Sequence, residues 1–260
     1  MDTEYIRRSG IAAAYKGGAE LRHYFGNLSR IDKKGEIDLL TEADLASEKV
    51  IIDSIRERFP DHSVLAEESG QDATDSPCRW IIDPLDGTSN FAHGLGLFAV
   101  SIAFAYQEEI RAGVVLNPVS GELFSAVKGK GAELNGRTIR VSHTRKVADS
   151  MLVTGFPYNL KEMIGPLITR FQNCLLAARG VRRLGAAALD LCFVAAGRFD
   201  GFWEQNLKPW DTAAGMLIAR EAGAEVTDFS SGYFHPGGKE ILATNGNIHR
   251  EMLSILEYKE

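Results

Sequence analysis

The residues with chemistry to offer are acidic, and they stand where the chain changes direction. In WIIDPLDGTSNF (Trp80–Phe91), an apolar run with the texture of a buried strand ends in Asp83 and Asp86, separated by Pro84 and Leu85 and followed by Gly87 and Thr88. Asp44 stands at the start of a helical pattern, Glu67 and Glu68 close the strand-like SVLAEES, and Asp211 opens another helical pattern. A cluster of such carboxylates repels itself and takes up protons unless cations neutralise it. Only oxygen ligands recur. His93 is the one histidine nearby and no cysteine accompanies the acids, so the set suits a hard cation such as Mg2+ better than zinc. Two such ions about 3.5–4 Å apart can activate a water and stabilise a leaving oxygen. Gly87 and Thr88, at the start of a helix or turn, can bring free N–H groups to a phosphate.

Each feature also has a plain structural reading. PLDG is a β-turn signal. Thr41-Glu42-Ala43-Asp44 matches a capping box, so Asp44 can serve to start a helix. Glu67–Glu68 reads as a solvated strand end, Asp211 suits the first turn of a helix through the dipole, and His93 reads as structural. Together, however, the acids fall at strand ends and helix starts, where layered folds open crevices.

The elements that must position them follow from periodicity. Apolar spacing predicts helices over about Glu4–Phe25 and Thr41–Phe59, the second stopped by Pro60. Strands follow at SVLAEES, RWIID, Leu97–Tyr106, Ile110–Leu116 and Glu122–Val127, then a hairpin turning at Asn135-Gly136. After about Ser142, strands and helices alternate: MLVTGF, a helix over Leu160–Ala178, VRRLG, the helix AAALDLCFVAAG, FDGFWEQ, the helix WDTAAGMLIAREAG, ILATN and a last helix to Leu256. The first half reads as two helices and a mostly antiparallel sheet, the second as an α/β layer. The division falls at 1–142, with most of the acids, and 143–260, with Asp211, the two halves packing into one body.

Composition sets the bounds. The chain has 260 residues, 45% of them hydrophobic, and a net charge of −6 with both signs dispersed. The acidic balance, without a basic run, disfavours nucleic acid and anionic membranes, and no apolar run approaches the roughly 18 residues of a span. The three cysteines are far apart and fit reduced thiols in a cytosol. The first residues do not have the pattern of a secretory signal. A cytoplasmic protein is expected.

The combination resembles the inositol monophosphatase family, of bacterial type, within the lithium-sensitive, metal-dependent phosphatases. Trp80–Phe91 matches the first signature, W-(I/V)-I-D-P-(L/I)-D-G-T-x-N-F, and Trp210–Gly215 the second, W-D-x-A-A-G. Arg182–Glu204 (RRLGAAALDLCFVAAGRFDGFWE) is similar to the segment that bacterial members carry between them. DLLTEAD and LAEES fall upstream in family order, so the resemblance runs from about Asp38 to Phe229. It implies a layered αβαβα sandwich of mixed α/β and α+β character. It also implies Mg2+ as cofactor, on the order of two or three ions per subunit, with Li+ inhibitory, and homodimers are usual.

Residue by residue, the resemblance implies that Glu67, Asp83 and the Leu85 carbonyl hold one ion and Asp83, Asp86 and Asp211 a second. Thr88 paired with Asp44, together with Glu67, would be catalytic, orienting the attacking water. Leu85, Asp86, Gly87 and Thr88 would meet the phosphate. Gly185, Ala186, Ala187, Glu204 and Asp211 would meet inositol hydroxyls, with Arg183 a further substrate contact, Glu68 behind the ligands and Lys33 in a mobile loop. Two departures bear on substrate choice: HGLGLF (His93–Phe98) lacks the proline many members carry, and Ala186 stands where several have Ser or Thr.

The implied activity is Mg2+-dependent hydrolysis of a small phosphorylated polyol, myo-inositol 1-phosphate first. Fructose 1,6-bisphosphatase or dual-specificity activity is the alternative, with nucleotide 3′-phosphatase and histidinol-phosphatase behind it. Outside catalysis stands a regulatory binding protein.

Overall fold

Asp83 and Asp86 end a strand inside an eight-stranded sheet, and what packs on its two faces decides where they go. The computed structural model describes residues 2–28, 31–33, 39–157 and 160–258. In spatial order the sheet runs Arg137–Ile139, Ala132–Leu134, Glu122–Val127, Glu109–Asn117, Ala99–Tyr106, Cys78–Asp86, Ser63–Ala66 and Gly70–Gln71. Its pairings are antiparallel except that of Ser63–Ala66 with Cys78–Asp86.

Period-two alternation sorts its side chains. In Ala99–Tyr106, the bulky Val100, Ile102 and Phe104 enter one core, while the small Ala99, Ala103 and Ala105 enter another. The first core lies under α1 (Thr3–Tyr24) and α2 (Glu42–Arg56), which also pack on each other. A short helix, α3 (Thr88–Ala92), follows the aspartate strand. A longer one, α4 (Leu160–Ala177), belongs to the far side of the molecule.

The second core holds α5 (Ala187–Ala195) and α6 (Pro209–Glu221), stacked between the two sheets. Every residue of α5 is buried, as expected of a helix almost entirely apolar around its circumference. Small residues on the sheet face let α6 come close. A Cβ on Gly113 would sit 2.8 Å from the Ala214 carbonyl oxygen and 3.1 Å from its Cα.

The second sheet runs Gly180–Arg182, Met151–Thr154, Gly201–Gln205, Glu240–Thr244, Glu225–Thr227. The first three strands are parallel, and Glu240–Thr244 is antiparallel to both of its neighbours. Behind it, α4 and α7 (His249–Leu256) bury Cys174, Met252 and Leu256 against Trp203 and Leu242. The layers are therefore α, β, α, β, α, as the sequence led us to expect.

Differences are local. Helix α2 ends at Arg56, and Phe59 leaves it to pack on the rings of Tyr5, His62 and Trp80. The strand Glu225–Thr227 was not anticipated; it is only three residues long. Lys33 ends a strand paired with Leu39–Thr41; its side chain, the intervening residues 34–38 and so the mobile-loop expectation lie outside the described residues. No helix among the described residues is long and apolar enough to cross a membrane.

Close approach at Gly113 is testable. Gly113→Ala should cost about 1–3 kcal/mol in urea denaturation, because the clash is with α6 backbone. Gly10→Ala, in α1, meets only side-chain atoms at 3.4 Å and beyond and should be neutral or stabilising by up to about 1 kcal/mol. Equal effects would contradict the packing described.

Candidate active site

The aspartate strand does not turn at Pro84; it continues to Asp86 with a bulge. Asp83 pairs with Ser101 and Asp86 with Ala99, three steps on one strand against two on its partner. Pro84 has no N–H for the ladder, and the Leu85 N–H donates instead to Asp83 Oδ1 at 3.0 Å. In a regular strand, residues three apart face opposite sides. The extra residue brings Asp86 back to the side of Asp83, the side of Ile81 and the middle layer. The Pro84–Leu85 turn inferred from sequence is thus a bulge with the same consequence.

Helix α2 supports this bulge from the other face. Ser47 Oγ donates to the Pro84 carbonyl at 2.9 Å. The buried Glu48 accepts from the N–H groups of Glu68 and Ser69, each at 2.9 Å, and the Glu67 N–H donates to the Ile82 carbonyl at 3.1 Å. Glu67 is therefore carried on a turn tied both to α2 and to the aspartate strand. Neither Ser47 nor Glu48 was singled out from sequence. Their only signal is position, three and four residues after Asp44 on one helix face.

Asp44 performs its capping role and reaches Thr88 as well. Its Oδ2 accepts from the Thr41 N–H at 2.7 Å and the Thr41 hydroxyl at 2.6 Å, closing the capping box. Its Oδ1 lies 3.3 Å from Thr88 Oγ1, which also lies 3.0 Å from the Leu85 carbonyl. Gly87 precedes α3 at φ 92°, and a Cβ there would meet the carbonyl oxygens of Leu97 and Gly185 at 3.0 and 3.2 Å. Asn90 completes this junction, donating to the Leu97 and Leu184 carbonyls at 2.7 and 2.8 Å. His93 is structural, with Nδ1 against the Ser89 carbonyl at 2.8 Å.

Asp86 crosses to the start of α5, accepting from the N–H groups of Ala187 and Ala188 at 3.2 and 2.8 Å. That helix has no side-chain cap of its own, so Asp86 supplies it. Asp211, in the first turn of α6, accepts from the Lys208 N–H at 2.7 Å. One cleft of about 270 Å³ is lined by Glu67, Asp83, Leu85, Asp86, Gly87, Thr88, Arg183, Gly185, Ala186, Ala187, Glu204 and Asp211, with Phe156, Lys208 and Trp210 among its other walls. Asp44 stands behind it through Thr88. Among the described residues no three carboxylates close on a common point; they face one another across the cleft.

The electrostatics are those of a crowded acidic site. Burial, followed by Glu67, Asp86 and Asp211, pushes the Asp83 carboxyl well above the usual range. Burial also pushes Asp86 up to about 7 against the pull of the α5 N–H groups. Asp211 and Glu204 are raised well above the ordinary range as well, burial first in both. Arg183 and Lys208 are the basic residues on the walls, and both are exposed. Oxygen donors held in a desolvated cleft, with more acids than basic residues on its walls, fit a hard divalent cation.

The residues of the chain from 2 to 259 match the model of the inositol monophosphatase family. An inositol-1-monophosphatase of Synechocystis is 45% identical over 246 residues, covering 94% of this chain and 86% of that protein. The Nus factor SuhB of Pasteurella multocida is 43% identical over 225 residues, 86% of this chain and 84% of that one. The crystal structure of the extragenic suppressor protein SuhB from Bartonella henselae superposes with a TM-score of 0.94 at 42% identity, covering 98% of this chain and all of that one. This chain belongs to the inositol monophosphatase family, and it is a phosphatase.

The raised acids carry a pH signature. A carboxyl whose folded pKa lies above its unfolded value favours the protonated fold. Its contribution is complete below about pH 4 and is lost as the pH rises through the folded value, about 7 for Asp86. Divalent cations should therefore restore more stability at high pH. Added Mg2+ should raise the melting temperature more at pH 8 than at pH 5 in a thermal-shift titration; a shift independent of pH would contradict this.

Proposed function

We propose that the chain hydrolyses small polyol phosphate monoesters, myo-inositol 1-phosphate foremost, with Mg2+ held by Glu67, Asp83, the Leu85 carbonyl, Asp86 and Asp211. The observation that carries this reading is the bulge that aims Asp83 and Asp86 into the cleft shared by Thr88, Glu204 and Asp211. Bound there, the cations would neutralise the carboxylates, activate the attacking water and meet charge on the leaving oxygen.

The protein's own groups supply the rest. Thr88 has one hydroxyl proton and two acceptors within 3.3 Å, Asp44 and the Leu85 carbonyl. The Leu85 carbonyl would be among the groups holding a cation; with its proton given to Asp44, Thr88 Oγ1 would keep a lone pair to accept from an incoming water and fix its line of attack. Gly87 and Thr88 open α3, where N–H groups have no ladder partner and suit phosphate oxygens. Arg183 offers an exposed guanidinium at the rim. Glu204 and Asp211, with the Gly185–Ala187 backbone, suit the hydroxyls of a polyol, while Ala186 offers no hydroxyl in return.

The reading extends to setting and assembly. Cys78, Cys174 and Cys192 are all unpaired, in keeping with a reducing cytoplasm. The outer face of α4 exposes Ile164, Ile168, Leu175 and Leu176, a surface suited to a homodimer. A second reading, a regulatory binding role, draws on the relatives named Nus factor SuhB. Retention of the same partners by a catalytically dead variant would favour it.

Asp83→Asn should lower kcat on the order of 10³-fold with the fold intact by circular dichroism, and Thr88→Ala should lower it about 10²–10⁴-fold. In a phosphate-release panel, inositol 1-phosphate should outrun fructose 1,6-bisphosphate, a nucleoside 3′-phosphate and histidinol phosphate, and Li+ should inhibit. An active Asp83→Asn protein would refute the metal assignment; faster release from the bisphosphate would replace the substrate.

A further inference from the structure

One buried acid has no part in the site as described. Asp190, in the first turn of α5, is 1% exposed, and among the described residues no donor reaches either of its carboxylate oxygens. It follows Ala186 and Ala187 by four and three residues, so it lies on their side of the helix, and both line the cleft. Asp190 therefore sits beneath the cleft floor. A lone charged carboxylate there would be strongly unfavourable. Burial, then the Glu204 charge, then Asp86, push its carboxyl well above the ordinary range, with Arg183 opposing.

Glu204 is the complementary group. On its strand Phe202 enters the middle core, and Glu204, two residues on, shares that face toward α5. It is buried, and it lines the cleft. Gly155 walls its other side: a Cβ there would lie 2.1–2.3 Å from the Glu204 carboxyl atoms. Two desolvated carboxyl groups, one of them without any donor of its own, satisfy each other when one hydrogen lies between them.

We propose that Asp190 is a positioning residue: from beneath the floor it hydrogen bonds to the Glu204 carboxyl, fixing the orientation in which Glu204 accepts a substrate hydroxyl. The pair carries one proton and one negative charge. It selects for phosphates that bear hydroxyls beside the ester, and it leaves hydrolysis itself untouched. The inference rests on Glu204 as the hydroxyl acceptor of the proposed function.

The test compares Asp190→Leu and Asp190→Asn on inositol 1-phosphate and on p-nitrophenyl phosphate, which has no hydroxyl to offer. Asp190→Leu should raise KM for the inositol ester roughly fivefold, with kcat and aryl phosphate hydrolysis unchanged. Asp190→Asn keeps a donor and should restore KM. Equal loss on both substrates, or no change on either, overturns the proposal. Infrared difference spectra of the Mg2+-loaded protein test the pair without any substrate: one protonated-carboxyl band should be present and should vanish in both Asp190→Asn and Glu204→Gln. Survival of that band in either variant also overturns the proposal. A wild-type protein that ignores inositol 1-phosphate yet shows the band and its loss would refute the substrate reading alone.

Discussion

Gathering like charges in one desolvated cleft is among the least favourable things a fold can do, and this cleft does it with Asp83, Asp86 and Asp211. Desolvation is the largest influence on each of the three, and each also raises or is raised by its neighbours. A fold tolerates such a site only when the surrounding structure determines it firmly and an external charge offsets it. The first condition can be traced bond by bond, and the second is the reason to expect cations.

The determination begins with one extra residue. Without the bulge between Asp83 and Asp86, the second carboxylate would face α1 and α2 and the first core. Ser47 and Glu48 of α2 hold the bulge and the Glu67 turn from behind, and Asp86 reaches across the middle layer to start α5. Gly87 and Asn90 close the remaining gap to the Gly185 loop. Elements from both sheets thus meet at one point because Asp86 is at once a cleft residue and the cap of a helix 100 residues away in sequence, its bonds to Ala187 and Ala188 spanning 101 and 102 positions. Moving the aspartate would loosen α5 and the Gly185–Ala187 wall together.

Much of this was legible in the sequence because local rules and the final fold agree. The Asn135-Gly136 turn adopts positive φ at both residues, Thr41–Asp44 forms its capping box, and the almost wholly apolar α5 is buried throughout. The acids were found because strand ends and helix starts are readable from pattern alone. What was not legible depends on tertiary packing. Pro84 read as a turn, since nothing local shows that a partner strand continues past it. Glu48 and Asp190 drew no notice in the sequence, since their burial arises only from tertiary packing, for Glu48 when the turn after Glu67 closes on it. The strand Glu225–Thr227 was too short for alternation to reveal.

The central claim is that these carboxylates are held apart for divalent cations to join. Anomalous diffraction from crystals soaked in Mn2+, a scatterer with the same preference for oxygen ligands, tests it most directly. The account predicts peaks in the cleft within bonding distance of Asp83, Asp86 and Asp211, with Glu67 drawn in toward one of them. A cleft free of anomalous density at saturating Mn2+, or peaks confined to surface acids, would contradict it.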